Sequence, residues 1–322
     1  MSLETKIREA HSRIAPHVRR TYLEHSPLYS KRTRAKVFFK FENLQHTGSF
    51  KLRGALNKIL SLSKGELARG IVTASTGNHG AAVAYALAIA GATGTVFVPN
   101  GASESKLANI RRLGAAIEVF GEDSNEAERR AREVAEETGA VYVSPYNDPL
   151  VVAGQGTVGL EMYEQLSDLD AVFAAVGGGG LISGVGGFLK SVLPGIRVVG
   201  CSPENSKVME ESVKAGRVLE LESLPTLSDG TGGGVDPDTI TFRMCREFVD
   251  EWVSVNEDEI RVGLVEFIDS HHQLIEGSAA VAIAAFLKTA ENYEGKRIGI
   301  VLCGGNIGTS VLTEVFATNE RD

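Results

Sequence analysis

Lys51 stands at the start of a helical pattern, Phe50 to Leu62, that follows a short alternating strand, Val37 to Phe41, and the helix-start signal Thr47-Gly48-Ser49, whose hydroxyls are expected to cap it. A cation there meets the positive end of the helix dipole. That field, with aromatic Phe50 alongside, lowers an amine's pKa, which is what a Schiff-base lysine requires. A lone lysine in a first turn is usually a solvated surface group, so the reading depends on its surroundings. Val176-Gly177-Gly178-Gly179-Gly180-Leu181 follows a strand and opens a helix. Consecutive glycines let backbone N–H groups converge on an anion, and the helix N-terminus adds its dipole, which suits a phosphate. A tight turn needs one or two glycines, and the spacing is not the G-x-G-x-x-G of a dinucleotide site, although Glu204 lies about 20 residues on. Ala74-Ser75-Thr76-Gly77-Asn78-His79-Gly80 also joins strand to helix, with hydroxyls and amides where a helix is capped. Cys303 closes the last strand, where a buried cysteine is ordinarily a small core residue. Glu276 precedes a long apolar helix, a place that suits an N-terminal acid.

The elements that must position these residues form an alternating series. After the Lys51 helix come strand 71–74, helix 78–90, strand 95–98, helix 103–113, strand 116–120, the charged helix 123–138 and strand 141–143. Glu128 and Arg132 on that charged helix stand at i,i+4, as on a solvated face. A second series follows: helix 150–166, strand 171–176, helix 181–193, strand 198–201 and helix 205–215, then a loop rich in Pro, Ser and Gly at 224–237. Strand 252–255, helices 257–270 and 277–287, strand 298–302 and helix 307–316 complete it. Repeated βα units of this length imply parallel sheets with right-handed crossovers. Ahead of all this lies a helix, 5–18, and an irregular basic segment containing Pro27.

The string Lys40 to Ala55 resembles the lysine motif of the serine/threonine dehydratase family, the fold-type-II pyridoxal-phosphate enzymes that include threonine ammonia-lyases, serine dehydratases and serine racemases. The other segments fall in that family's order and spacing, so the resemblance spans nearly the whole chain. It implies a two-lobed α/β fold of the tryptophan synthase β type, with parallel-sheet lobes and the cofactor between them. Residues 1–48 and 147–322 would form the large domain, 49–146 the small one, with no C-terminal regulatory domain and hence no feedback control through one. The implied cofactor is pyridoxal 5'-phosphate. Lys51 would hold it, with Phe50 against its ring, Asn78 on the 3-hydroxyl, and Gly177, Gly178, Gly179, Gly180 and Leu181 around the phosphate. Cys303 would face the ring nitrogen, a neutral partner that favours prompt β-elimination, and Gly230 and Glu276 would lie near the ring. For Glu276 an N-cap role explains the residue equally well.

The same resemblance places Ser75, Thr76, Gly77 and His79, beside Asn78, on the substrate carboxylate, and His79 belongs to this loop rather than acting as a base. Tyr146 replaces the asparagine that racemases carry over the ring, as in dehydratases. Thr76 supplies a hydroxyl where racemases have their second-face acid, which leaves racemisation open. Ser202 and Val208 stand where racemases carry metal-binding acids, so no metal is expected. The implied reaction is deaminating β-elimination of a hydroxyamino acid of the L-threonine/L-serine type to a 2-oxo acid and ammonia, with Lys51 taking the Cα proton. The alternatives are a racemase of serine or hydroxyaspartate, a dehydratase for 3-hydroxyaspartate or a hydroxyectoine-derived amino acid, and a catalytically silent cofactor-binding sensor.

Composition narrows the class from another side. A chain of 322 residues, 43% hydrophobic and 23% charged, can bury two lobes of ordinary size. A net charge of −8 and the lack of a Lys/Arg block exclude a nucleic-acid binder. Cys201, Cys245 and Cys303 lie far apart, with no CxxC spacing and no even framework, so neither a structural zinc nor a disulfide scaffold is indicated, which points to a reducing, cytoplasmic compartment. The uncharged run 80–102 has membrane length but is broken by Gly91-Ala92-Thr93-Gly94, and reads as a buried helix, turn and strand rather than a membrane span. The expected partner is a small amino-acid substrate; the family implies a homodimer.

Overall fold

The computed structural model describes residues 1–319. Its strands, in chain order, are β1 (Leu23–His25), β2 (Lys36–Phe41), β3 (Ile71–Ala74), β4 (Gly94–Val98), β5 (Ala116–Val119), β6 (Val141–Tyr142), β7 (Ala171–Ala175), β8 (Arg197–Pro203), β9 (Glu251–Val255) and β10 (Arg297–Leu302). They form two sheets, one of six strands in the order β1-β2-β10-β7-β8-β9 and one of four in the order β5-β4-β3-β6. Every pairing is parallel except β1 against β2. The α/β class with parallel-sheet lobes is therefore as the sequence implies.

Strand order decides where the chemistry collects. In parallel sheets, ligands bind beyond the carboxyl ends of the strands. Adjacent β2, β10 and β7 lead to Lys51, Cys303 and Gly177 along one edge of the large sheet. Adjacent β3 and β6 lead to Ser75–His79 and Val143–Asn147 along one edge of the small sheet. Strands β7 and β10 are apolar on both faces because helices cover both, so they read as continuous runs of buried residues.

The Lys51–Ile59 helix links the two halves. Leu52, Leu56 and Ile59, at i, i+4 and i+7, are buried in the small-sheet core with Ile71, Val96 and Val98. Each such leucine contributes about 1.5–3 kcal/mol by leaving water. Its other side carries Arg53, wholly buried, which grips two carboxylates bidentately: Glu42 at 2.7 and 2.8 Å, and Glu161 at 2.7 and 2.9 Å. Lys40 donates to the same Glu161 at 2.6 Å. Lys40 and Arg53 balance Glu42 and Glu161, so the cluster is neutral and its desolvation is offset. Charged residues this deep tie β2, the turn after it and the Pro149–Gln165 helix to a point two residues from Lys51.

Several expectations change. Thr47 and Ser49 do not cap the Lys51 helix: Phe50 stands at the N-cap with no side-chain bond, and both hydroxyls are buried without partners. The backbone there is committed elsewhere, Ser49 to a bridge with Gly304 and Phe50 N–H to the Cys303 carbonyl at 3.0 Å. The helix ends at Ile59, not Leu62. The basic segment around Pro27 is not irregular but contains β1 and a helix, Pro27–Thr33, with Pro at its first position and Ser26 as cap. Helices Lys64–Ala68, closed by a Ser63/Glu66 capping box, and Ile240–Phe248, capped by Thr239, are additional to the expected series. Residues 80–102 form a buried helix, a turn at Gly91 and β4, and no helix among the described residues is long and apolar enough to cross a membrane.

Candidate active site

Lys51 is the first residue of its helix, half-buried, with Nζ 5.3 Å from the Phe50 ring centre and donating to the Pro145 carbonyl at 2.9 Å. Burial pulls its amine down to about 8, although the Cys303 thiol and the Glu276 carboxyl nearby pull the other way. The side chain is therefore a cation that gives up its proton near neutrality. Cys303, at the end of β10, is fully enclosed, and burial pushes its thiol well above the usual value, so it stays neutral beside Lys51.

Glu276 occupies the N-cap position of the Gly277–Thr289 helix but makes no side-chain cap bond, so the capping explanation does not hold. Its carboxyl turns to the other lobe instead. Asn78 Nδ2 donates to both its oxygens at 2.9 and 3.0 Å, and the Asn306 N–H donates at 3.1 Å. Asn306 Nδ2 completes the ring by donating to Asn78 Oδ1 at 2.6 Å and to the Thr47 carbonyl at 2.8 Å. Burial raises the Glu276 carboxyl to about 7 against the opposing pull of these donors. Gly230 sits in the Asp229–Thr231 turn, where a side chain would meet Ser278 Oγ at 2.8 Å and Glu276 Oε1 at 3.3 Å.

The Asn78–Ala90 helix begins directly after Gly77, with no side-chain cap at its N-terminus. Ser75 Oγ accepts from the Gly77 N–H at 3.2 Å, and Ser75, Thr76 and Gly77 are half-buried. His79 is buried, and its Nε2 lies 2.9 Å from the Val143 carbonyl. A carbonyl only accepts, so Nε2 carries the proton and the unpartnered Nδ1 is bare. Burial, reinforced by the Lys51 charge, lowers this imidazole to about 3. It is a neutral ring over the working pH range and a poor proton acceptor.

Gly177–Gly180 leads into the Gly180–Val192 helix, again without a side-chain cap; Gly179, at φ +81°, takes the left-handed conformation that opens it. On Gly178 a Cβ would fall 2.4 Å from the Tyr146 ring, which lies flush against the loop. Leu181 belongs by its side chain to the large core. The arrangement fits pyridoxal phosphate on its own terms: a glycine loop that keeps backbone N–H groups clear at a positive helix end, and a depressed amine beside an aromatic ring and a neutral thiol.

The sequence matches the family described as pyridoxal-phosphate dependent enzyme over residues 14–304. The chain belongs to that family. Its cofactor is pyridoxal 5'-phosphate. It is 43% identical over 310 residues to an L-threonine ammonia-lyase of Thermotoga maritima, covering 96% of this chain and 77% of that protein. Among solved structures, it is similar to the processed form of threonine deaminase isoform 2 from Solanum lycopersicum, with TM-score 0.93, 33% identity and 98% and 92% of the two chains covered. It is equally similar to maize serine racemase, with TM-score 0.92, 33% identity and coverage of 99% and 98%.

Sequence reasoning missed several residues of this centre. Asn306 closes the Asn78–Glu276 ring, and its signal was its place directly after Cys303-Gly304-Gly305 at a strand end. The Pro145 carbonyl that receives Lys51 is backbone and left no trace in residue types. Arg132 is more than half of a surface pair: besides Glu128, at 2.6 Å, it reaches Asp236 in the other lobe at 3.0 Å.

Proposed function

We propose that this enzyme is a threonine/serine dehydratase-type ammonia-lyase, converting a hydroxyamino acid to a 2-oxo acid and ammonia. Support comes first from the Lys51 amine, desolvated at a helix start, lowered to about 8 and bonded to a backbone carbonyl rather than a carboxylate. Such an amine offers a far larger neutral fraction near neutrality than a free lysine does, and the neutral form is the one that acts as nucleophile and base. Pyridoxal phosphate, when bound, supplies an electron sink for negative charge at the substrate Cα.

The chain's residues divide the remaining work. With the cofactor bound, Gly177–Gly180 and the helix dipole behind them would hold the phosphate, Asn78 the ring oxygen, and Phe50 and Tyr146 would lie against the ring. The uncapped N-terminus of the Asn78 helix, with Ser75, Thr76 and Gly77, takes the substrate carboxylate, and His79 holds the loop in place through Val143. Cys303, kept neutral by burial, would offer no negative charge to the ring nitrogen, which would favour prompt loss of the β-substituent. Glu276, through Asn78 and Asn306, keeps the ring-oxygen side in register, and Gly230 leaves room for it. Lys51 would hold the cofactor and, as a neutral amine, would take the Cα proton. The β-hydroxyl leaves as water, and the resulting enamine hydrolyses to a 2-oxo acid and ammonia.

The second reading, racemisation, draws on the half-buried Thr76 hydroxyl in the carboxylate loop. We take the enzyme to act in the cytosol as a homodimer on a free amino acid, with 1–48 and 147–322 as the large domain and 49–146 as the small one. Release of 2-oxo acid from a panel of L- and D-β-hydroxy amino acids, with no metal added, tests the proposal. Rapid release from one L-member is expected. A panel in which amino acids shift the cofactor spectrum but none releases a 2-oxo acid would overturn it, and inversion of configuration in its place would establish the racemase.

A further inference from the structure

Charged groups from the two lobes meet beside Tyr146. Arg132, on the Ser124–Thr138 helix, donates through Nη2 to both oxygens of Asp236, at 3.2 and 3.0 Å. Its Nε and Nη2 also hold Glu128 at 3.1 and 2.6 Å, the Tyr142 hydroxyl donates to the same Glu128 at 2.9 Å, and the guanidinium lies 4.4 Å from the Tyr142 ring centre. Asp236 is bound from a second direction. Asn147 Nδ2 donates to it at 2.9 Å, the Asp236 N–H donates to the Tyr146 hydroxyl at 2.8 Å, and the Ile240 N–H donates to Asn147 Oδ1 at 3.0 Å.

Residues 143–147 are thus shared. They carry the acceptors of His79 and Lys51, the Val143 and Pro145 carbonyls, and the Tyr146 ring that lies on Gly178. On the large-lobe side, Gly233 and Gly234 have open space where side chains would be, and Gly233 sits at φ +111°; the stretch is held by the Gly233 N–H on Ser206 Oγ at 3.2 Å, by Val235 against the large core, and by Asp236 toward the small lobe. A cavity of about 420 Å³ lies between Arg132 and Gly234–Pro237, with Tyr146 in its wall.

We propose that Arg132 and Asp236 are positioning residues: their ion pair clasps the small lobe to the 232–237 loop and, through Asn147 and Tyr146, sets where residues 143–147 hold the Lys51 amine and the aromatic ring on the glycine loop. The pair is partly exposed, 40% at Arg132 and 25% at Asp236, so it contributes little to global stability and is screened by salt. Its effect is geometric, and small displacements of a reacting amine cost large factors in rate.

The test is Asp236→Asn in the holoenzyme, which keeps the acceptor for Asn147 and the N–H for Tyr146 but removes the charge facing Arg132. Three quantities are measured: kcat, its change between about 0.05 and 0.5 M ionic strength, and the rate of pyridoxal phosphate loss on dialysis. The expected result is a kcat about ten-fold lower at an unchanged melting temperature, loss of the salt sensitivity that the unsubstituted enzyme shows, and faster cofactor loss. Arg132→Gln should do the same, and the two together should be no worse than either alone. Cofactor retention and salt response like those of the unsubstituted enzyme, or losses that multiply in the double variant, would overturn the proposal. The kinetic arm rests on the lyase reaction proposed above, whereas the dialysis arm does not. An unsubstituted enzyme without turnover would therefore count against that reaction, while cofactor loss would still decide on the clasp.

Discussion

Replacing Glu276 with glutamine should stabilise the cofactor-free protein in alkaline solution and do little in acid. Burial lifts the Glu276 carboxyl to about 7, from an ordinary value near 4.5. A group whose folded pKa is raised binds more protons in the folded than in the unfolded chain between those two values. Folding stability therefore falls as pH rises through that window, and the loss is complete above the folded pKa. Each pKa unit is about 1.4 kcal/mol, so the penalty is about 3 kcal/mol at pH near 8 and under about 1 kcal/mol near pH 5. Glutamine resembles the protonated carboxyl in shape and charge and carries no such penalty. The variant should therefore gain about 2–2.5 kcal/mol relative to the parent between the two pH values, or roughly 3–4 °C in melting temperature for a chain of this size. Paired urea titrations of apoprotein at the two pH values measure it. A stability difference that does not change with pH would refute the argument, because it would mean that Asn78 and the Asn306 N–H hold the carboxylate as well as water does.

Two other substitutions probe the scaffold. Gly178→Ala places a Cβ 2.4 Å from the Tyr146 ring, and such overpacking costs about 1–3 kcal/mol; cofactor affinity, read by equilibrium dialysis, should fall about ten-fold while far-ultraviolet circular dichroism stays unchanged. Arg53→Met leaves Glu42 and Glu161 sharing Lys40 alone, an uncompensated buried charge that should cost about 3–5 kcal/mol in urea unfolding. Loss of under about 1 kcal/mol would show that the cluster behaves like a surface ion pair.

How far the sequence carried the account depends on what each feature is made of. Strands β3, β4, β7 and β10 were legible because short apolar runs bounded by glycine or polar turns read as buried strands, and the alternation of strands with helices then specifies parallel sheets. The glycine run and the Ser75–His79 loop were legible as sites because backbone-lined anion sites leave a compositional mark. Helix Pro27–Thr33 carried its signal in Ser26-Pro27 but was hidden by basic residues that break the apolar periodicity. Arg53, Lys40 and Glu161 looked like surface residues, since a single sequence cannot show that charges from four elements neutralise one another in the interior. The Thr47/Ser49 cap failed because a tertiary bridge to Gly304 outcompeted local capping, and Glu276, though at the N-cap position, turns its carboxyl to donors from Asn78 in the opposite lobe and the Asn306 N–H. Interactions that join the lobes depend on how two sheets meet, which periodicity does not encode.

The central claim is that Lys51 is the group on which cofactor attachment and proton removal both depend. Its most direct test is Lys51→Ala, purified with excess pyridoxal phosphate and assayed for the visible absorbance of lysine-bound cofactor and for 2-oxo acid release from the best hydroxyamino acid. Both should vanish while the fold, read by circular dichroism, persists. Turnover retained in this variant would contradict that claim, because Lys51 is the amine that lies over Phe50 and faces Cys303 and Glu276.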